Sequence, residues 1–113
     1  MKELSGERLK EAVQGNLLKG TFDMMVLLLL SKEDMSPSQI KTHLTNNREA
    51  FFTNVNAVYN VFGRLEDSGC ISRTRESYRG SILHIEPKGI EYLKLLHSEY
   101  RKLNKIIEGI VKR

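Results

Sequence analysis

Residues 53–86 of the chain are TNVNAVYNVFGRLEDSGCISRTRESYRGSILHIE, and their pattern changes twice. Up to Leu65, apolar residues recur at steps of three and four. This spacing predicts a helix over residues 53–67 that buries one face. The pair Ser68-Gly69 predicts the end of that helix, because glycine is common just after the last helical residue.

Two short strands are predicted after the helix, over residues 71–76 and 81–86. In the second segment we expect Leu83 and Ile85 to point inward, while Ile82 and His84 face the other way. Arg79-Gly80 suits the turn between the two strands. Helix, tight turn and two-stranded ribbon, in this order, predict a winged helix-turn-helix.

Further helices are predicted on both sides of this segment. The run Met24–Leu30 is apolar nearly all round, which is typical of a helix buried on more than one side. Ser36 is expected to cap a second helix with Pro37 at its first position. Pro87 opens the last helix, which we predict to extend to about Val111. The predicted fold is therefore mainly α with a small β-hairpin wing.

The last helix carries an apolar stripe with heptad spacing, since its apolar residues recur at steps of three and four. The stripe consists of Leu93, Leu96, Tyr100, Leu103, Ile107 and Ile110. It is longer than a small domain can cover. We therefore favour a dimer interface over packing within one chain. Residues 1–86 form the predicted winged helix-turn-helix head and residues 87–113 the C-terminal dimerisation helix, within a single domain overall.

Composition excludes several classes of protein. The chain has 113 residues and a net charge of +4, which fits nucleic acid but also an ordinary solvated surface. Its one cysteine, Cys70, is expected to be a buried apolar residue.

His43, His84 and His97 lack the spacing of metal ligands. No phosphate loop or nucleophile motif is present. We expect no enzymatic activity, no cofactor and no metal.

A location in the cytoplasm is expected for two reasons. Residues 1–6 are polar, so no signal peptide is visible. The apolar run Met24–Leu30 has seven residues, well short of the roughly 20 needed to span a bilayer.

Several segments resemble the PadR family of bacterial transcription regulators. They are LLKGTFD at residues 17–23, Val58-Tyr59, Arg64-Leu65-Glu66, Gly69-Cys70-Ile71 and Ile85-Glu86-Pro87-Lys88-Gly89. The resemblance covers about residues 17–112, and its single terminal helix is similar to the short-tailed subgroup with multidrug-sensing members.

The resemblance implies a homodimer in which each terminal helix packs against the partner's first helix, which would place Leu17 and Leu18 at the interface. It also places Tyr100 where drug-sensing members have an aromatic residue lining a pore. A small hydrophobic or aromatic ligand is therefore a possible partner. Ordinary packing remains the more frequent role of an aromatic residue at such a position.

Polar residues on the third helix are candidates for contacts with bases. Asn56, Asn60 and Arg64 share one face, and asparagine can bond adenine as arginine can bond guanine. Arginines of the wing and the start of the second helix are candidates for phosphate contacts. The full set of candidate DNA contacts is Ser36, Ser38, Lys41, Asn54, Asn56, Tyr59, Asn60, Arg64, Arg73, Arg75 and Arg79. A solvated surface, or helix capping for Ser36, would explain the same residues.

The sequence thus predicts a homodimeric DNA-binding transcriptional regulator that binds a pseudo-palindromic operator with its third helix and wing. Repression, and release by a small ligand at the dimer interface, are implied by the resemblance. The alternative is a protein-interaction module with weakened or lost DNA binding. Positions 80–83, where the family has basic and tyrosine residues, hold Gly80, Ser81, Ile82 and Leu83.

Overall fold

The computed structural model describes residues 21–45, 55–75 and 80–113. Helix α1 occupies residues 21–32 of this part. It is followed by α2 (Pro37–Thr45), α3 (Val55–Asp67), β1 (Ile71–Arg75), β2 (Ser81–Ile85) and α4 (Pro87–Val111). The predicted fold class, mainly α with a β-hairpin wing and a long terminal helix, is confirmed.

Helix α2 begins as its sequence predicts. The backbone N–H of Gln39 donates to Ser36 Oγ at 3.1 Å, and the backbone N–H of Ser36 donates to Gln39 Oε1 at 2.8 Å. This reciprocal pair is a capping box, which satisfies donors that the first turn leaves free. Pro37 follows at the first helical position, where its missing N–H costs nothing.

The hydrophobic core lies where α1, α2, α3 and the hairpin meet. Val26 and Leu27 of α1 and Ile40 of α2 are fully buried, and Phe62 and Leu83 join them from α3 and β2. Most of the run 24–30 is buried or half-buried, which confirms that α1 packs on more than one side. Burial of a large apolar side chain contributes about 1.5–3 kcal/mol, so this cluster dominates the stability of the head.

Helix α3 ends in a Schellman motif. Gly69 has a φ of +79°, which glycine adopts without a steric penalty. The N–H of Cys70 bonds to the carbonyl of Leu65 at 2.9 Å, and that of Gly69 to Glu66 at 3.0 Å. The buried side chains of Leu65 and Cys70 close the motif, and the predicted stop at Ser68-Gly69 is thereby explained.

The wing is an antiparallel hairpin, and one residue outside the hairpin also pairs with β2. Strand β1 pairs with β2 so that Ile71 lies opposite Ile85 and Arg73 opposite Leu83. On the other edge of β2, Met35 and Leu83 exchange backbone hydrogen bonds of 3.2 and 2.8 Å. The wing is therefore tied directly to the segment between α1 and α2.

Helix α4 starts in close contact with the head and then leaves it. The N–H of Glu86 donates to the carbonyl of Cys70 at 2.9 Å, and Gly89 is buried against the same turn. Leu93 is buried and Leu96 half-buried, whereas every residue from position 97 onward is exposed. A helix of 25 residues is roughly 37 Å long, so more than half of α4 extends beyond the head.

Among the residues that the structure describes, no helix is both long enough and apolar enough to cross a lipid bilayer.

Candidate nucleic-acid interface

Helix α3 presents a polar outer face while its inner face is packed. Val61, Phe62 and Leu65 are buried, whereas Asn60 and Arg64 are exposed. Their spacing of three to four residues places the two sets on opposite sides of the helix. The face predicted to contact bases is therefore available to a partner molecule.

Of the other α3 candidates, Tyr59 borders this face. Tyr59 is 46 % exposed, and its ring meets Phe62 edge-on with centroids 5.8 Å apart. The contact holds the Tyr59 ring at the border of the outer face while its hydroxyl can reach outward. Asn56 lies one turn before Asn60 in α3.

Arg64 is bound to a carboxylate of its own chain. Its guanidinium forms an ion pair with Asp23 of α1, whose side chain is only 17 % exposed. The hydroxyl of Tyr92 in α4 also donates to Asp23, at 3.4 Å. Asp23 thus joins the outer face of α3 to the first turns of α4. The ion pair therefore holds the Arg64 guanidinium toward α1.

The same site affects the ionisation of Tyr92. Burial of the hydroxyl raises the pKa of Tyr92, and the negative charge of Asp23 raises it further. The phenol therefore stays protonated at neutral pH and remains a donor to Asp23.

Arg73 of the wing is likewise paired. Its Nε and Nη2 atoms donate to Glu66 Oε1 at 3.1 and 2.5 Å. The pair links β1 to the end of α3 and directs the guanidinium toward a carboxylate. Two of the arginines predicted to contact DNA are therefore partly neutralised within the head.

The start of α2 shows a division of roles. Ser36 Oγ accepts the hydrogen bond that caps α2, as the helix-capping interpretation of Ser36 expects. Ser38 is exposed in the first turn and Lys41 is half-buried. Ser38 therefore remains accessible beside the helix N-terminus, where backbone N–H groups favour anions.

Three candidate residues lie at or beyond the ends of the described segments. Asn54 and Arg79 lie outside the described residues, and Arg75 is described only as the last residue of β1. Gly80 has a φ of +99°, as expected for a residue in a turn.

A second ion pair, which the sequence does not reveal, holds β2 of the wing to the segment between α1 and α2. His84 Nδ1 lies 2.7 Å from Asp34 Oδ1. The hydrogen bond to Asp34 raises the pKa of His84, with weaker help from the charges of Asp34 and Glu86. The two residues are 50 positions apart, so no local pattern could have predicted the contact.

A cavity of about 280 Å³ lies between α1, α3 and α4. Its walls include Asp23, Arg64, Cys70, Lys88 and Tyr92. Tyr100, the residue that the family resemblance links to a ligand, is not among them. Within the described residues, no cluster of histidine, cysteine and carboxylate side chains could hold a metal ion.

The predicted dimer residues fall into two groups. Leu93 is buried in the core of its own head and Leu96 packs beside it. Tyr100, Leu103, Ile107 and Ile110 are instead 43 to 63 % exposed, although all are large and apolar. Leu17 and Leu18 lie outside the described residues.

Comparison with known proteins identifies the fold. No family model matches the chain, and no curated protein matches it. Among solved structures, a transcriptional regulator from Clostridium thermocellum is 25 % identical with a TM-score of 0.77. The match covers 85 % of this chain and 98 % of that one. A PadR-like transcription factor from Bacteroides fragilis is 27 % identical with a TM-score of 0.67, covering 88 % and 98 %.

The chain is PadR-like. A PadR family regulator from Eggerthella lenta, 17 % identical, has the same fold with a TM-score of 0.78 over 93 % of this chain and 94 % of its own. The resemblance inferred from the sequence is thereby confirmed, and PadR-like regulators are not enzymes.

Proposed function

We propose that this PadR-like protein is a homodimeric transcription regulator that represses by occupying an operator. Its similarity to transcriptional regulators supports a DNA-binding regulator. The observation that carries the proposal is the exposed polar face of α3 beside an anchored wing. A helix of this kind fits the major groove, where each base pair presents a distinct pattern of donors and acceptors.

In the proposed complex, α3 lies in the major groove with Asn56 and Asn60 toward base edges. Arg64 leaves Asp23 and contacts guanine, and Tyr59 contacts the backbone at the border of the groove. Ser38 and Lys41 at the start of α2 and the wing arginines, with Asn54, hold phosphates. Phosphate contacts set the position and base contacts set the sequence preference.

The proposed dimer forms through the exposed part of α4. Tyr100, Leu103, Ile107 and Ile110 form a stripe that the head leaves uncovered. Such a stripe on a helix suits a second copy of the same stripe. Residues 1–86 then act as the DNA-binding head and residues 87–113 as the dimerisation helix. A two-fold dimer requires a roughly palindromic operator with half-sites about one helical turn apart.

Release by a small hydrophobic ligand fits the same arrangement. A ligand bound beside Tyr100 between the subunits would weaken DNA binding only if it favours one spacing of the heads over the other. Tyr100→Ala should then abolish binding of flat aromatic compounds. A complete lack of such binding by the wild type would remove this part of the proposal.

A second candidate function is a protein-interaction module that no longer binds DNA. The ion pairs of Arg64 with Asp23 and of Arg73 with Glu66 favour it, because they reduce the charge available to phosphates. The two candidates differ in their response to salt. A DNA-binding regulator loses affinity steeply as salt rises, whereas the module shows no DNA binding even at low salt.

Selection of bound sequences from random DNA is the most informative test. The proposal expects an enriched, roughly palindromic site, together with weakened binding of that site by Asn60→Ala. The variant should remain a dimer in sedimentation, because Asn60 lies on the outer face of α3. Failure to enrich any sequence at low salt would overturn the proposal.

A further inference from the structure

The excess positive charge of the chain lies entirely outside the head. Residues 1–87 carry eleven basic and eleven acidic side chains, so their net charge is zero. Residues 88–113 carry seven basic and three acidic side chains and account for the whole net charge of +4. Any long-range attraction of the chain to polyanions must therefore come mainly from α4.

The cations of α4 are arranged as a stripe along one face. Lys94, Arg101, Lys105 and Lys112 follow one another at steps of seven, four and seven residues, and all four are exposed. With 3.6 residues per turn, these steps return to nearly the same side of the helix. We refer to these four residues as the basic stripe.

The basic stripe faces away from the exposed apolar residues of α4. Helical geometry places its centre roughly 160° around the axis from the face that carries Tyr100, Leu103, Ile107 and Ile110. If the apolar face is covered by a second chain, the basic stripe still remains open to solvent.

Within the part of the chain that the structure describes, the cations of the stripe also have no charged partners. Within the described residues, none of the four forms an ion pair, whereas the neighbouring Lys102 bonds Glu99 at 3.2 Å. Together with Lys102 and Asn104, the residues Lys94, His97, Ser98, Arg101 and Lys105 line a shallow groove of about 520 Å³. The groove is thus rich in donors and lacks a carboxylate in its walls.

We propose that the basic stripe of α4 binds the phosphate backbone of double-stranded DNA, as a second contact beside the head. This proposal rests on the proposed function, because the head must first bring DNA close to α4. The stripe spans roughly 27 Å, comparable with the axial length of about eight phosphates of one strand. The contact is independent of base sequence and adds to the salt-dependent part of the affinity that the phosphate contacts of the head supply.

The chemistry of the stripe favours phosphates over an acidic protein. Interfaces between proteins depend on buried aromatic or apolar anchor residues at their centre. The walls of this groove consist of lysine, arginine, histidine, serine and asparagine side chains. Such walls suit a repeating line of phosphates, which needs several donors and no apolar pocket.

The test compares two variants that each lose two lysines. Lys94→Gln/Lys105→Gln removes cations from the stripe, and Lys32→Gln/Lys88→Gln removes the same charge at exposed positions outside the groove. Lysine and glutamine have similar helix propensities, so both variants should fold and dimerise alike. DNA affinity is measured between 50 and 200 mM salt on the selected operator and on an unrelated duplex.

The stripe variant should bind both duplexes more weakly and show a shallower salt dependence. Each lost phosphate contact lowers the slope of log K against log salt by about 0.9, or about 1.8 per protomer for two lysines. The control variant should keep the slope of the wild type. Equal slopes for the two variants would overturn the proposal while leaving operator binding by the head intact.

Two further outcomes would show that the chain does not bind DNA at all, or that the stripe binds an acidic protein instead. A wild type that binds no duplex at low salt would overturn both this proposal and the proposed function. Poly-glutamate binding that is lost only in the stripe variant, with unchanged DNA binding, would assign the stripe to an acidic protein and overturn the DNA contact.

Discussion

Gly89 is the residue whose lack of a side chain matters most for packing. A Cβ atom at this position would lie 2.2 Å from the carbonyl oxygen of Cys70 and 2.9 Å from Ile85 Cγ1. The first of these atoms belongs to the backbone of the Schellman turn, so it cannot move aside easily. The close approach of α4 to the end of α3 therefore depends on glycine here.

Gly89→Ala should destabilise the protein by about 1–3 kcal/mol, the usual cost of forcing extra volume into a packed site. Urea unfolding at fixed protein concentration measures the change. Gly109→Ala is the matched control in the same helix, because nothing lies within 4 Å of its Cβ position. The control should gain up to about 1 kcal/mol from alanine's higher helix propensity. Equal stability of the Gly89 variant and the wild type would contradict the packing argument.

Asp23 controls the availability of Arg64. Asp23→Asn removes the negative charge that holds the guanidinium and should therefore raise DNA affinity. Because the Arg64 side chain is 59 % exposed, solvent limits the contribution of the pair to about 1 kcal/mol, so the gain should be at most about fivefold. Fluorescence anisotropy with operator DNA measures it.

Tyr92→Phe is the control for this prediction, since it removes a hydrogen bond to Asp23 but leaves the ion pair. Its DNA affinity should match that of the wild type. Weaker DNA binding by Asp23→Asn would show instead that the pair with Asp23 positions Arg64 for its contact.

At the scale of single residues, local contacts could be predicted and distant ones could not. Ser36 and Gln39 are three positions apart, so their spacing reveals the capping box in the sequence. Asp23 and Arg64 are 41 positions apart, and nothing near either residue indicates the partner. Arg64 is therefore predicted on the correct face of α3, but its bond to α1 is not.

Among the elements, the wing is held by contacts on both of its edges. Strand β1 covers one edge of β2, and the bridge to Met35 covers part of the other. The strands and their turn could be predicted because alternation and glycine are local signals. The bridge could not, because Met35 is a single apolar residue between Asp34 and Ser36, without a strand pattern around it.

The pair of His84 and Asp34 makes this anchoring of the wing dependent on pH. Because Asp34 raises the pKa of folded His84 above its usual value of 6.5, protonation stabilises the folded state. The stabilisation is fully present below about pH 6.5 and is lost as the pH rises through the raised pKa of the folded protein. Both side chains are about half exposed, so we expect an effect of less than about 1 kcal/mol.

An NMR titration of His84 measures this effect directly. The wild type should titrate at higher pH than Asp34→Asn, and the variant should lose the gain in stability at low pH. Coincident His84 titration curves in the two proteins would show that the ion pair does not form in solution.

For the whole molecule, heptad spacing predicts the face of α4 but not what covers it. Leu93 and Leu96 continue the same stripe as Ile107, yet they pack on their own head. Periodicity identifies which residues share a side of the helix, whereas the length of the head determines where coverage ends. The proposed interchain contact therefore rests mainly on the part of α4 from Tyr100 onward.

Adjacent isoleucines allow a matched test of this dimer. Ile107 lies on the stripe and Ile106 beside it, and both are largely exposed, at 47 and 60 %. Ile107→Glu should place two carboxylates in the apolar interface of a two-fold dimer. Loss of two buried isoleucines costs about 3–6 kcal/mol, or roughly a 10²- to 10⁴-fold rise in the dimer dissociation constant.

Sedimentation velocity over a range of concentrations distinguishes the two variants. Ile107→Glu should be monomeric at concentrations where Ile106→Glu remains dimeric, because a charged residue flanking the interface stays in water. The monomer should also bind single half-sites only weakly, since two linked heads gain affinity from their effective concentration. Equal dimer strength in both variants would mean that the apolar face of α4 is covered in some other way, and the palindromic operator would lose its structural basis.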